Sequence, residues 1–418
     1  MRRQLIESLT DDEALALLYD WRFWARDKQV VPSWDWSSWL ILAGRGFGKT
    51  RTGAETVRYW AETLPGIRIA LVGRTAADVR DVMVEGESGL LAISPPYCMP
   101  HYEPSKRRLT WPNGSMATTY SGDKPDQLRG PQHHKAWADE LAAWRYIDAY
   151  DQLLFGLRLG HDPQLIITTT PRPIQVIRDL VRESTTAITR GSTFENAANL
   201  APRALEKLRS KYENTRLGRQ ELFAEVLDDV PGALWTHGNL EQNRVKEVPG
   251  MKRVVVAIDP AVSANEDSSN ETGIIVAGRG ADNDGYLLDD LSLIATPDQW
   301  AKVAVKAYRD YRADLIVAEV NQGGDMVLHT IRTIDPNIPI KAVRATRGKY
   351  TRAEPVAALY EQGRVHHLGM FPTLEDQYCT WVQGEDSPDR LDAAVWALTE
   401  LMLGGPSEAR QRPNNLWG

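Results

Sequence analysis

Short apolar runs alternate with stretches of helical spacing along most of this chain. Leu5, Leu9, Leu15, Leu18 and Phe23 recur among polar positions, which predicts an amphipathic helix over residues 5–28, ended by Val31-Pro32. Trp39-Leu40-Ile41-Leu42 is an apolar run of the length of one buried strand, and Ala54, Val57 and Trp60 after it are spaced for a helix. A strand at 67–73 and a helix over 74–83 follow. Residues 107–111 and 115–120 flank Pro112-Asn113-Gly114 and predict a hairpin around an Asn-Gly turn. Further strands are expected at 135–138 and 164–170, and helices at 173–183 and 202–228. Asp228-Asp229-Val230-Pro231-Gly232 then breaks the pattern. It restarts with strands at 253–259, 272–278 and 285–291, expected to form a meander. A helix at 297–311, a strand at 315–319, a helix, a strand at 339–343 and a helix through 354–361 come next. The last helix opens on Ser387-Pro388, read as N-cap and first-turn residue, and runs to Leu401.

The expected organisation is α/β throughout. A first domain covers 1–230, with a helical N-terminal segment and a helical lid or linker at about 195–230. A second covers 251–404, and 405–418 reads as a flexible tail. With 418 residues, 42% apolar and 25% charged, the composition is that of a soluble globular protein. No apolar run approaches the roughly 18 residues that span a bilayer, so no membrane partner is expected. The two cysteines, Cys98 and Cys379, provide neither a metal spacing nor a disulfide framework, which fits a reducing compartment. At a net charge of −7 there is no global attraction for nucleic acid, so any DNA contact must come from local basic patches. Five of the 14 tryptophans fall between Trp21 and Trp39 and read as core around the first strand, with stacking on a nucleobase as the alternative for one of them.

The chemistry starts at Ala43-Gly44-Arg45-Gly46-Phe47-Gly48-Lys49-Thr50. Strand, Gly-rich turn, Lys-Thr and helix is the context of a phosphate-binding loop. Its glycines let successive N–H groups point at a phosphate, and the helix N-terminus adds positive partial charge. Lys49 would reach the β- and γ-phosphates of ATP, and Thr50 would ligate Mg²⁺. The strict pattern has glycine where Ala43 stands, and Gly44 and Gly46 can supply the missing freedom. Gln29, just upstream, is either a contact to an adenine edge or an exposed linker residue. The strand at 135–138 ends in Asp139-Glu140, a pair suited to hold the Mg²⁺ shell (Asp139) and to activate the attacking water (Glu140). The strand at 164–170 ends in Thr168, Thr169 and Thr170, either a polar tip able to sense a γ-phosphate or the ordinary threonine usage of a strand.

A second constellation lies in the C-terminal half. Asp259 and Glu319 end apolar strands, and Asp392 stands near the start of the last helix, three residues from Asp389 on the same face. Converging buried carboxylates repel one another unless cations join them. Oxygen ligands suit Mg²⁺ or Mn²⁺, and two such ions can drive phosphodiester cleavage. Asp267 and Asp389 are possible additional ligands. Strand-end caps and solvated loops are the alternative reading of each acid. Lys341, Arg344, Arg347, Lys349 and Arg352 form a basic run that reads as a DNA track or a solvated face.

Taken together, LILAGRGFGKTRTGAE (40–55), KAWADE (135–140), IITTTPRP (166–173), AIDPA (257–261), VAEVNQGG (317–324) and SPDRLDAAVWAL (387–398) resemble the large terminase subunit of tailed bacteriophages, over residues 24 to 403. The resemblance implies a P-loop NTPase of the additional-strand, RecA-like type followed by an RNase H-like nuclease. It implies Walker A roles for Lys49 and Thr50, with Arg45 matching an arginine of such loops. Asp139 becomes the Walker B acid, Glu140 the catalytic glutamate and Thr168 to Thr170 the coupling motif. Asp259, Glu319 and Asp392 become the nuclease acids, with Glu319 where many relatives carry Asp. It further implies double-stranded DNA, a portal protein and a small terminase subunit as partners. A homo-oligomeric ring, pentameric when docked on a procapsid in the host cytoplasm, follows as well. Arg129 is the candidate for an arginine supplied across the ring interface, with a surface or DNA-phosphate role as its alternative. Two other readings stand beside this one: an ATP-dependent helicase–nuclease of DNA repair, whose expected second helicase half is missing here, and a nucleotide-binding assembly protein with an inactive nuclease.

Overall fold

The structure, a computed structural model, describes residues 9–212, 218–219, 222–225, 230–260, 271–321, 324–345, 348–385 and 387–404. The predicted positions Leu5, Asp267, Arg347 and 405–418, and parts of the helix expected over 202–228, lie outside the described residues. Contacts divide the chain into two compact units, Met1–Asp228 and Asp229–Gly418. No helix among the described residues is long and apolar enough to cross a membrane.

The first unit is built on an eight-stranded sheet. Its strands are β1 (Ser38–Ala43), β2 (Arg68–Gly73), β3 (His101–Glu103), β4 (Arg108–Thr110), β5 (Met116–Ser121), β6 (Lys135–Asp139), β7 (Gln164–Thr169) and β8 (Thr186–Gly191). The order is β3-β4-β5-β2-β6-β7-β1-β8, parallel from β5 to β8 with an antiparallel edge at β3 and β4. β7 is inserted between β1, which feeds the Gly-rich loop, and β6, which ends in the acid pair. Two-residue alternation sends β1 into two cores. Trp39, Ile41 and Ala43 face one and Leu40 and Leu42 the other. Helix α2 (Lys49–Thr63) covers the first face with Ala54, Val57, Trp60 and Ala61.

Several local expectations change. From residue 9 on, the helix expected over 5–28 is instead α1 (Asp11–Leu18), a four-residue turn Trp21–Trp24 and a 3₁₀ turn Asp27–Gln29. The break has a local cause: Asp20 accepts from the backbone N–H groups of Arg22 and Phe23 and restarts the helix as its own N-cap. Of the early tryptophans only Trp36 and Trp39 enter the core, whereas Trp24 and Trp34 are exposed. The helix expected over 74–83 is a short α turn, Ala76–Asp78, continued by a π-helix, Val79–Val84. Helix α3 (Asp148–Gly156) and edge strand β8 have no counterpart among the predicted elements, while α4 (Gln175–Arg182) and α5 (Pro202–Tyr212) fall within expected helices.

The second unit carries a seven-stranded sheet: β9 (Arg244–Val245), β10 (Met251–Asp259), β11 (Gly273–Gly280), β12 (Gly285–Asp290), β13 (Leu315–Glu319), β14 (Ile340–Val343) and β15 (Val365–Leu368). The order is β14-β13-β10-β11-β12-β15-β9. β10, β11 and β12 form the expected antiparallel meander, and β13 and β14 run parallel to β10 on its other side. Helices α6 (His237–Gln242), α9 (Lys349–Glu361), α10 (Pro372–Thr380) and α11 (Asp389–Leu398) cover one face. Helices α7 (Pro297–Asp310) and α8 (Asp325–Ile334) cover the other. At the β9 and β15 edge, Glu375 is buried under the bidentate guanidinium of Arg244, 2.8 and 3.0 Å away, and also accepts from His367. Arg244 and His367 hold the Glu375 carboxyl far below the usual carboxylate range despite its burial.

Candidate active sites

The Gly-rich loop leaves β1 at Ala43, which still pairs with Gly191 as strand. An ordinary L residue fits there, which is why glycine is dispensable at 43. The left-handed backbone falls instead on Gly46 (φ 76°) and Gly48 (φ 96°). Four neighbours fasten the loop by its carbonyls. Thr193 Oγ1 donates to Arg45 O (2.6 Å), and Asn196 Nδ2 donates to Gly46 O (2.7 Å). Arg26 donates to Phe47 O, and Gln29 Nε2 lies 3.4 Å from Gly48 O. With its carbonyls tied outward, the loop is free to present amides on its other side. Gln29 is therefore buried, not an exposed linker. Its amide is committed to Arg26, Gly48 and Thr52 rather than open to a base.

Lys49 Nζ donates to Ala43 O (2.9 Å) and Gly44 O (3.4 Å) and lies 3.4 Å from Glu140 Oε1. Thr50 is the second residue of α2. Asp139 ends β6 opposite the tip of β7, and Glu140 follows it. Trp137 Nε1 donates to Thr168 Oγ1 (2.8 Å), and the Thr168 hydroxyl donates to Asp139 Oδ1 (2.6 Å). Burial and Glu140 raise the Asp139 carboxyl to about 7, against the Thr168 hydrogen bond and Lys49, which lower it. Glu140 adopts a left-handed conformation (φ 49°, ψ 46°). Its Oε2 accepts from Thr170 N (3.1 Å) and Thr170 Oγ1 (3.4 Å). Thr169 turns to the opposite face, where Oγ1 accepts from Ala142 N. Arg129, which precedes β6 in the chain, is a surface side chain, 68% exposed and 3.3 Å from Asp126. Arg45 is also exposed.

Gly53 explains how α2 closes on this group. A Cβ there would stand 2.3 Å from Trp137 Cε2. Gly53→Ala must displace the indole that supports Thr168, and through it Asp139. We expect a destabilisation of about 1–3 kcal/mol, read by thermal melting, with ATP turnover falling more than plasmid cleavage.

In the second unit, strand parity does the assembling. Val255 and Ala257 of β10, and Val317 of β13, face the core covered by α9 and α11. Asp259 and Glu319 continue those alternations, and Ile258 pairs with Ala318 one step before them. Both acids thus emerge beside each other under α11, which contributes Asp392 and Asp389 from its first turn. Gly273 makes the approach possible, since a Cβ there would meet Asp389 O at 2.1 Å. Glu319 accepts from Trp396 Nε1 and Asn321 Nδ2. Burial, then Glu319, Asp392 and Asp389, push the Asp259 carboxyl up to about 9. Asp389 is raised to about 6, mainly by burial.

The donors are all oxygen, and their mutual repulsion fits a divalent cation. Two cations of α9 face the cluster. Lys349 Nζ is 2.8 Å from Asp392 Oδ2, and Arg352 lies 3.4 Å from Asp392 Oδ1 and 3.8 Å from Glu319 Oε2. Among the described residues, the expected set Asp259, Glu319, Asp389 and Asp392 included, no three His, Cys, Asp or Glu side chains are grouped so as to hold a metal ion as they stand, so ligation requires these side chains to shift. Ser387 does not cap α11 as expected: its hydroxyl donates to Asp392, and Pro388 occupies the N-cap position. The basic run is not one free track, because Lys341 pairs with Glu400 while Lys349 and Arg352 turn to the acids. Sequence reasoning missed Trp137 and Trp396 as partners of the two acid groups. A tryptophan two residues before Asp139 on the same strand face was the available signal for the first.

A family model described as terminase large subunit, T4likevirus-type, N-terminal, matches residues 40–242, and the terminase RNaseH-like domain model matches residues 256–401. No curated protein matches. Among solved structures, the chain is similar to the large terminase of a thermophilic bacteriophage (13% identity, 93% of this chain and 98% of that chain, TM-score 0.44). It is similar also to the HK97 bacteriophage large terminase (14%, 87% and 91%, TM-score 0.38). A third likeness is the large terminase ATPase domain of Thermus phage P74-26 (15%, 52% and 98%, TM-score 0.41). With its two halves matched in order, the chain belongs to the large terminase subunit family, the ATPase and RNase H-like nuclease of phage DNA packaging.

Proposed function

We propose that the first unit binds ATP at residues 44–50 and hydrolyses it with Glu140 as general base. Lys49 leaves the loop carbonyls for the β- and γ-phosphates. Thr50 and Asp139 would hold Mg²⁺, which supplies charge neutralisation at the phosphates. Glu140 takes a proton from the water that attacks the γ-phosphorus, and ADP leaves. Thr170 aims Glu140, Thr168 aims Asp139, and the β7 tip thereby couples nucleotide state to the sheet. Arg129, exposed and weakly paired, acts on the nucleotide of a neighbouring subunit in a homo-oligomeric, pentameric ring. That ring works on double-stranded DNA with a portal protein and a small terminase subunit, in the host cytoplasm and on the procapsid.

Asp259, Glu319 and Asp392, with Asp389, would hold Mg²⁺ or Mn²⁺, which supplies an activated water and stabilises the leaving oxygen of a phosphodiester. The chain's part is to converge the carboxylates: Trp396 and Asn321 orient Glu319, and Ser387 orients Asp392. The observation that supports this reading most is the β10–β13 register, which brings two buried strand-end acids under the acidic first turn of α11. The full chain is expected to cut supercoiled plasmid with Mn²⁺ or Mg²⁺ in the absence of ATP. Cutting that persists in excess EDTA would remove the metal from this account.

A further inference from the structure

The two cations that α9 sends into the acidic cluster differ physically. The Arg352 side chain is 10% exposed, and its guanidinium carbon lies 4.4 Å over the Trp396 ring, the same ring whose N–H holds Glu319. A planar group stacked on one face and fronting carboxylates at its edge is fixed in place. Lys349 is 44% exposed on a flexible stem, and its polar contacts are Asp392 Oδ2 at 2.8 Å and Ser387 O at 3.5 Å. Asp392 is 1% exposed, with Oδ1 facing Arg352 and Oδ2 shared by Lys349 and the Ser387 hydroxyl. An oxygen so occupied cannot ligate a metal until one partner leaves. Lys349 has the open route to water.

We infer that Lys349 is an exchangeable counter-ion of the nuclease site. In the metal-free protein it neutralises Asp392. A divalent cation that takes Asp392 displaces the ammonium to solvent, so metal binding and lysine release are one event, while Arg352 stays. The inference rests on the proposed reading that Asp259, Glu319 and Asp392 are metal ligands. Its consequence is that the resting site binds metal more weakly than its carboxylates alone would allow.

The test uses the full chain and Mn²⁺ without DNA or nucleotide. Isothermal titration compares the parent with Lys349→Met, Asp259→Asn and Lys341→Met, the last an exposed lysine paired elsewhere, with Glu400. Lys349→Met should tighten Mn²⁺ binding by about fivefold, the upper end for a partly exposed ion pair. Lys341→Met should change nothing. Acetylation of Lys349 by an amine-reactive reagent, followed by mass spectrometry, should accelerate several-fold when Mn²⁺ is added to the parent, and not in Asp259→Asn. Mn²⁺ binding that Lys349→Met leaves equal or weaker, or labelling that ignores Mn²⁺, overturns the exchange and leaves the metal site standing. Mn²⁺ binding that Asp259→Asn does not diminish would instead overturn the metal-site reading beneath it.

Discussion

ATP turnover by the Glu140→Gln protein is expected to fall by about 10²–10⁴-fold, the usual worth of a positioned general base, while Mn²⁺-dependent plasmid cutting continues at the parent rate. The substitution is nearly isosteric. Glutamine keeps an oxygen to accept from Thr170 N, which now stands 3.1 Å from Glu140 Oε2, and keeps the Glu140 N–H to Thr168 O bond of 2.6 Å. What it loses is the ability to take a proton. The backbone of residue 140 is left-handed at a non-glycine position, which costs of order 1–3 kcal/mol and persists only where the surroundings impose it. Because that conformation belongs to the β6 terminus and not to the carboxylate, the variant should fold and bind a fluorescent ATP analogue as the parent does. Undiminished steady-state turnover would move the base to another residue.

The Asp259→Asn protein is expected to show the converse: plasmid cutting lost to below detection, ATP turnover kept. A second consequence separates a charged cluster from a merely structural one. Asp259 is 9% exposed, and burial with three neighbouring acids raises its carboxyl to about 9, against about 3.9 in an unfolded chain. Below about pH 4 both states hold the proton and nothing is lost. As pH rises from about 4 towards 9 the unfolded chain releases the proton while the folded one retains it, so this group's contribution turns progressively against folding. Asparagine has no such dependence. In EDTA, Asp259→Asn should therefore melt above the parent, and the gap should widen from about pH 6 to about pH 8.5. Added Mn²⁺ should reverse the order, because binding stabilises only the state that binds. A parent that melts higher at both pH values in EDTA would mean that the acids do not crowd one another.

Legibility followed the number of buried faces. β1 and β10 were visible because central strands bury both faces and read as continuous apolar runs. β8 was not: Thr186–Gly191 pairs on one edge only, with Ile188 and Arg190 exposed, so TAITRG shows neither alternation nor an unbroken run. β15, VHHL, hides two histidines, one of which is buried only because Glu375 and Tyr360 satisfy its ring. The helix over 5–28 was overdrawn because spacing alone cannot tell one helix from two when Asp20 can cap a restart.

Local order along the chain determined the strands, the Gly-rich turn with its following helix, and the acids at strand ends, since each depends on neighbours within a few residues. Which glycines of that turn take the left-handed backbone was decided by the fold: Gly46 and Gly48, where an L side chain would be strained. What surrounds those acids was decided only by the fold. Trp137 meets Thr168 from 31 residues away, Trp396 meets Glu319 from 77, and Lys349 meets Asp392 across a helix pair. Contacts at such separations follow from sheet register and helix placement. Periodicity can place a carboxylate on a face, but it is the packing of the other elements onto that face that selects the cation or indole it will meet.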